Sequence, residues 1–414
     1  MSEQELTRRD FLKGAAGAAI AMGLPTVMAT PRALGANDRI HLGLIGCGGM
    51  GFGHLQDFVK MGKDGTENVE MIAVSDIFQP RMDSGCKTCG GQAFHDYRKL
   101  LELKDLDGVV IATPDHWHSR MTIDAMEAGL DVYCEKPMTL YWEQAKEVYQ
   151  AAQRTGRVVQ VGSQGTQDPR WLQANELIRK GALGKLLWSQ TSISRNSRDG
   201  EWNYYGIDHN AGPHNLDWKA FLGPAPQRPY DPERFFRWRK YWDYSGGIAT
   251  DLFTHVLHAL ELALGPEFPK RVVAGGGIYV HKDREVPDTF HAIIDYPSEH
   301  SVVVVSSMEN EQGVPVVIRG HEATMYLSGG DIKISPERLF ADEREEMSVP
   351  VPGVAVGDHY QHRMNFLQCM RTREKPRCNV ELGYKVTTAI ALAVRSYREN
   401  KAMCFDPVKQ ELIA

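Results

Sequence analysis

Four groups of residues in this 414-residue chain combine the types and spacings that chemistry needs. Asp251 and His255 stand four apart just after Gly246-Gly247, a spacing that puts them on one face of a helix. An Asp that orients a His makes a general base whose ordinary pKa suits neutral pH. His258 and Glu261 continue that face, but no third ligand of clear spacing joins them, so the reading is acid–base chemistry with no metal. Glu135-Lys136-Pro137 follows a predicted strand. A Lys projecting from a strand end, its pKa lowered by burial, could hydrogen-bond a reacting hydroxyl and assist its ionisation.

The other two groups suit a dinucleotide. Gly46-Cys47-Gly48-Gly49-Met50-Gly51 lies between a predicted strand and a predicted helix. Glycines there allow a tight turn, close backbone approach to a pyrophosphate and close helix–strand packing, while the helix start offers free N–H groups. Asp76 ends the second predicted strand, where an acid can accept from ribose hydroxyls and repel a 2′-phosphate; this favours NAD, with NADP as the alternative. Thr113-Pro114-Asp115-His116-Trp117-His118 closes a central strand, so the loop should line the cofactor crevice. Asp115 or Ser119 could equally cap the next helix, and His118 could contact the substrate from this loop.

Positioning these groups calls for strands alternating with helices. Predicted strands are 40–45, 69–75, 108–113, 131–134 and 158–161, with helices over 54–61, 97–103, 119–128 and 142–155 between them. That order implies βαβ units and a parallel sheet, and all-apolar runs such as Val109-Val110-Ile111 imply burial on both faces. Residues 195–245 are aromatic-rich and irregular, fit either for stacking on sugar rings or for packing against another subunit. Strands return at 271–274, 289–296, 301–306 and 314–318 as a mainly antiparallel sheet, with helices over 360–371 and 382–398.

Composition narrows the class. A net charge of −6 with no basic stripe argues against a nucleic-acid partner. Seven scattered cysteines, including the lone pair Cys86 and Cys89, form neither a disulfide framework nor a zinc site. Arg8-Arg9 before a short Gly/Ala-rich apolar run has the pattern of a twin-arginine export signal, too short for a membrane span. The expected layout is a signal peptide at 1–36, a Rossmann domain at 37–160 and a C-terminal α/β domain at 161–414, with export to the periplasm or medium.

Taken in order from Arg39, these motifs resemble the glucose–fructose oxidoreductase, inositol dehydrogenase and rhizopine-catabolism family, Gfo/Idh/MocA. The resemblance implies an N-terminal Rossmann domain and a C-terminal α/β domain whose open, mainly antiparallel sheet supports homo-oligomers. It also implies that Lys136, Asp251 and His255 are the catalytic positions. Lys136 would bond the reacting oxygen, His255 would take the hydroxyl proton, and Asp251 would position substrate or His. Gly46, Cys47, Gly48, Gly49, Met50, Gly51, Asp76, Thr113, Pro114, His118 and Glu135 would hold the cofactor. Glucose–fructose oxidoreductase has a Tyr where this chain has His255, and a family-typical acid is replaced by His258.

The implied function is hydride transfer between NAD, tightly held, and a hydroxyl of a sugar, glycoside or polyol. A rival is glycoside hydrolysis with transient use of bound NAD, in which relatives have another residue at the Lys136 position. A third reading is a non-catalytic carbohydrate binder, which would not need Lys136, Asp251 and His255 together. An exported enzyme has no free NAD pool, so its cofactor must be recycled by a second substrate or within one turnover.

Overall fold

A computed structural model describes residues 39–351 and 358–413. The expected signal segment, 1–36, lies outside the described residues. The first sheet has six parallel strands, β1 (Ile40–Ile45), β2 (Val69–Ser75), β3 (Gln92–Phe94), β4 (Gly108–Ile111), β5 (Asp131–Glu135) and β6 (Val159–Gly162), in the order β3-β2-β1-β4-β5-β6. Helices α1 (Gly49–Lys63), α2 (Gln79–Cys89), α3 (Tyr97–Leu101), α4 (Asp115–Glu127) and α5 (Trp142–Thr155) connect them. Strands β4, β5 and β6 are buried along their whole length, as their apolar runs require. One face is covered by Leu55 and Phe58 of α1, the other by Met121, Ala125 and Val148 of α4 and α5.

The chain continues through α6 (Pro169–Arg179), β7 (Leu186–Ser192), α7 (Trp218–Leu222) and α8 (Pro232–Phe236) to a π-helical turn at Ala249–Phe253 and α9 (Thr254–Leu264). Then come β8 (Arg271–Gly277), β9 (Thr289–Asp295), β10 (Ser301–Ser307), β11 (Val317–Gly320), β12 (Ala323–Ser328), β13 (Asp331–Pro336) and β14 (Met347–Pro350). Helices α10 (His359–Thr372) and α11 (Val380–Glu399) precede β15 (Met403–Asp406) and β16 (Glu411–Ile413). The second sheet has ten strands, β14-β13-β12-β11-β7-β10-β9-β8-β15-β16. Only the β7–β10 pair is parallel. The α/β class, with a parallel Rossmann sheet and a mainly antiparallel second sheet, is therefore as the sequence implies.

Three differences matter for the site. Helices α1 and α4 begin at Gly49 and Asp115, earlier than apolar periodicity suggests, because glycines and polar residues fill their first turns. Helix α10 covers the first sheet: Phe366, Leu367 and Met370 pack with Leu42, Leu44 and Tyr133. The irregular stretch 195–245 folds back on the same chain. Its Leu216 bridges Phe78, the Asp217 N–H donates to the Ile77 carbonyl (3.0 Å), and the Gln79 N–H donates to the Asn215 carbonyl (2.9 Å). Phe78, Leu216, Phe221, Leu222, Phe235, Phe236 and Tyr244 then bury one another as a separate apolar cluster. These contacts pin the strap to the β2–α2 edge.

Candidate active site

The glycine loop divides its labour. Gly46 has φ 93°, and a Cβ there would lie 2.7 Å from the Ala112 carbonyl oxygen. A Cβ on Gly51 would overlap the Gly46 carbonyl oxygen, so this glycine lets α1 pack on β1. Gly48 and Gly49 instead line a crevice, and a Cβ on Gly49 would meet nothing within 4 Å. Gly48 caps α1 without any side-chain bond, leaving the first-turn N–H groups for an anion. Two substitutions should therefore behave oppositely. Gly51→Ala should destabilise the fold by about 1–3 kcal/mol in denaturant unfolding. Gly49→Ala should leave unfolding near wild type and weaken NAD binding about tenfold in a fluorescence titration, by crowding the phosphate cradle.

Asp76 lines the crevice at the end of β2, tied to the backbone of Cys47. The Cys47 N–H donates to Asp76 Oδ2 (2.6 Å) and the Phe78 N–H to Oδ1 (2.8 Å). Burial pushes the Asp76 carboxyl up, opposed by the Arg81 charge and these N–H groups. With a third backbone N–H from Ile77, the four acceptor sites of the carboxylate are still not all taken, which leaves capacity for a ribose hydroxyl. The Cys47 thiol is buried, so only its backbone serves the site. Arg81, which spacing did not single out, lines the same end and lies 5.2 to 5.7 Å from the ring centroids of Phe78, Phe235 and Phe236. Met50 completes the rim.

Thr113, Pro114 and Asp115 line the crevice as expected. His118 is not among the crevice-lining residues. Its buried ring spans two carbonyls, Nδ1 to Pro137 O (2.7 Å) and Nε2 to Thr113 O (2.8 Å), which corrects the expectation of a cofactor or substrate contact. Two carbonyl acceptors favour the doubly protonated ring, which ties the β4–α4 loop to the β5 loop. Burial alone would lower its pKa, but Cys134 and the two carbonyls reverse that and raise it. A raised folded pKa gives stability that is complete below the unfolded value and lost as pH rises through the folded one. The gap in melting temperature between wild type and His118→Gln should therefore be larger at pH 6 than at pH 9.

At the other end of the crevice, Lys136 Nζ donates to Asp251 Oδ1 (2.8 Å) and to the Asp251 carbonyl (2.9 Å). Lysine has three N–H groups, so one is left without a partner among the described residues. Asp251 also accepts from Arg239 Nε on Oδ1 (3.0 Å) and from Trp202 Nε1 on Oδ2 (3.0 Å). Burial raises its pKa, but Lys136 and Arg239 hold it far below the carboxylate range. The expected Asp251–His255 bond is absent among the described residues. The turn carrying Asp251 is π-helical rather than α-helical, and its carboxylate is spent on Lys136, Arg239 and Trp202. Lys136 is thus a cation paired with Asp251, a partner the sequence reading did not assign to it.

His255, in the first turn of α9, makes no ring hydrogen bond among the described residues. Burial and the Lys136 charge lower its pKa to about 3 against the opposing pull of Asp251 and Glu135, so the ring is neutral at ordinary pH. Glu135 lines the crevice, but its carboxylate is anchored from behind by His54 Nε2 (2.8 Å) and the Lys136 N–H (3.2 Å). Burial pushes it up, yet the His54 bond and the Lys136 charge bring it to about 2. His54 is held in turn by Arg363 Nε (3.0 Å), and Arg363 pairs with Asp57 (2.8 Å). Asp115 is buried and accepts from Thr250 Oγ1 (2.9 Å), its carboxyl lifted by burial to about 7. His258 turns its Nδ1 to the Thr254 carbonyl (2.7 Å), and no group of three metal-binding side chains exists among the described residues.

Of the residues singled out in the sequence, Gly46, Gly48, Gly49, Glu135 and Lys136 line the crevice, while Asp251 lies behind Lys136 as its partner and His255 is a buried neighbour whose titration their charges govern. The sequence reading missed Arg239, Trp202 and His54, whose partners lie 12, 49 and 81 residues away in sequence. The only available signal for the first two was the aromatic-rich texture of 195–245.

Comparison with known proteins gives two family matches over most of the chain. A model described as an oxidoreductase family with an NAD-binding Rossmann fold matches residues 40–163, and its C-terminal α/β domain matches residues 173–414. A twin-arginine translocation signal model matches residues 5–25. A Glycosyl hydrolase family 109 protein of Shewanella baltica (strain OS155 / ATCC BAA-1091) is 30% identical over 240 residues, 51% of this chain and 50% of that protein. The chain thus spans about half the length of the curated relatives it matches. Among solved structures, an NAD binding oxidoreductase from Klebsiella pneumoniae superposes with a TM-score of 0.66 at 20% identity, covering 88% of this chain and 98% of that one. Levoglucosan dehydrogenase in complex with NADH and L-sorbose superposes with a TM-score of 0.68 at 19% identity, covering 90% and 100%. At these identities the two structures speak to the fold.

Proposed function

Because this chain belongs to the Gfo/Idh/MocA oxidoreductase family, we propose that it moves a hydride between a nicotinamide cofactor and a hydroxyl of a sugar, glycoside or polyol. The observation that carries this reading is the unspent N–H of Lys136, which lines the same crevice as the glycine loop and lies within electrostatic reach of a neutral His255. The residues fit the cofactor: Gly48 and Gly49 leave a cradle for phosphates, and Asp76 keeps acceptors for a ribose. When bound, NAD supplies the hydride acceptor. Lys136 receives the substrate oxygen on its free N–H and stabilises negative charge as the O–H proton departs. His255 takes that proton on an uncommitted ring nitrogen, and the nearby Lys136 charge makes the imidazolium release it readily. Asp251 fixes Lys136 in place, and Glu135 with His54 holds the backbone from which Lys136 projects.

The test is to purify the protein, identify any nucleotide released on denaturation by mass spectrometry, and follow absorbance at ~340 nm with a panel of carbohydrates, reduced nicotinamide being the product expected of this fold. Stoichiometric NAD reduced by a carbohydrate supports the reading. Absence of nucleotide, with no binding on adding NAD or NADP back, sinks it. The Shewanella relatives' name favours one second reading, redox-assisted glycoside cleavage, in which glycosides are split with no net reduction.

The signal match supports twin-arginine export, and we read the mature protein as periplasmic or secreted; cell fractionation separates the two. Among the described residues no helix is long and apolar enough to cross a membrane. We read residues 37–160 as the cofactor domain and 161–414 as the substrate and oligomer domain, to be checked by limited proteolysis. The second sheet leaves Trp188, Ile293 and Tyr326 exposed on its strands, the basis for reading the protein as a homo-oligomer. Light scattering that returns the monomer mass would overturn that last reading.

A further inference from the structure

Besides Lys136, the crevice carries a strap cation, Arg239, whose bonding capacity is only partly used. Arg239 is fixed through Nε, which donates to Asp251 Oδ1 (3.0 Å), and its guanidinium lies 4.2 Å from the Trp238 ring centroid. Its two Nη groups have no acceptor among the described residues, although the side chain lines the crevice and is a fifth exposed. Two other arginines of the 195–245 strap differ: Arg195 spends Nη1 on Glu201 (2.6 Å), and Arg234 spends both Nη groups, on Asp243 and Glu285. Asp115, the other acid whose charge reaches Arg239, takes its bond from Thr250 instead.

A planar guanidinium held at Nε, with its Nη pair open, matches the two oxygens of a carboxylate. Its position says whose carboxylate. Lys136 Nζ and Arg239 Nε donate to the same oxygen, Asp251 Oδ1, so they lie within two hydrogen-bond lengths of each other. A group on the Arg239 fork therefore sits a few bonds from an oxygen on Lys136 and belongs to the same small molecule. The cofactor's phosphates have their own cradle at Gly48 and Gly49.

We propose that Arg239 is a substrate-carboxylate subsite and that the preferred substrate is an acidic sugar, a uronate or aldonate, rather than a neutral one. This rests on the oxidoreductase reading above, and a binding measurement separates the two. Wild type, Arg239→Gln and Arg239→Lys, each as the full chain with its nucleotide, would be titrated calorimetrically with a panel of uronates and aldonates and their neutral counterparts, glucuronate against glucose among them. Turnover at ~340 nm would be followed in parallel. Wild type should bind some acid about 10- to 100-fold more tightly than its neutral counterpart. Arg239→Gln should lose that selectivity, and Arg239→Lys should keep part of it, since a point charge replaces the fork. Acid-selective binding without turnover would leave the subsite standing while the hydride reading fails.

Equal binding of acid and neutral sugars by wild type, no binding of any panel member, or selectivity surviving in Arg239→Gln overturns the proposal. A loss of NAD affinity above about tenfold in Arg239→Gln, with sugar selectivity unchanged, would overturn it too and assign the fork to the cofactor's pyrophosphate.

Discussion

Lys136→Met is expected to lower kcat by about three orders of magnitude, within the range for a lost proton-transfer or charge-stabilising group. NAD affinity should stay within about threefold of wild type, because the loss falls on the transition state rather than on binding. The geometry explains the split. Two of the lysine's three N–H groups fix it to Asp251, and only the third is free to meet a reacting oxygen. Asp251 would keep Arg239 and Trp202 as partners in the variant, so no buried charge is left alone and the fold should hold. Thermal unfolding within a few degrees of wild type checks that point. If NAD binding collapsed while kcat held, Lys136 would be a cofactor ligand instead.

His255→Asn should cost about 100-fold in kcat, the usual scale for removing a general base. Its pH dependence is the sharper result. A His with the ordinary pKa would lose its lone pair as pH falls from 8 to 5.5, and wild type would lose its advantage over the variant. With a pKa of about 3, His255 stays neutral across that window. The wild-type to variant ratio of kcat/KM should therefore remain flat from pH 8 to 5.5. A ratio that shrinks through pH 6.5 would mean that Lys136 and burial do not depress the base.

Local order was legible wherever local physics decides it. Strands β1 and β2 fall at Ile40–Ile45 and Val69–Ser75 as expected, because the mostly apolar, mostly buried strands of a parallel sheet have few alternatives. The glycine loop was legible because strand, turn and helix start are adjacent in sequence. Strands β12 and β13 were missed although Gly329-Gly330 joins them as a hairpin turn would, since β12, ATMYLS, mixes polar and apolar residues on a sheet with one open face.

The site was legible as positions and less so as bonds. His118 reads as a crevice residue from its place after β4, but its ring direction depends on Pro137, 19 residues on. The i,i+4 spacing of Asp251 and His255 reads as a pair, yet Lys136, 115 residues away, competes for the same carboxylate and wins by charge. Nothing local marks Trp202 as a partner of Asp251, or Arg239 as a cation with an open fork. Such contacts follow only from the strap at 195–245 lying against the Rossmann edge.

The central claim is that a hydride leaves a carbohydrate carbon and stays on the nicotinamide. The most direct test uses a carbohydrate that the protein oxidises, deuterated at the reacting carbon, followed by denaturation and mass analysis of the nucleotide. The account predicts reduced nicotinamide heavier by ~1 Da, formed in step with the oxidised sugar, and a slower reaction than with the undeuterated compound. Deuterium that remains in the sugar product, with no gain of mass in the nucleotide, would contradict it.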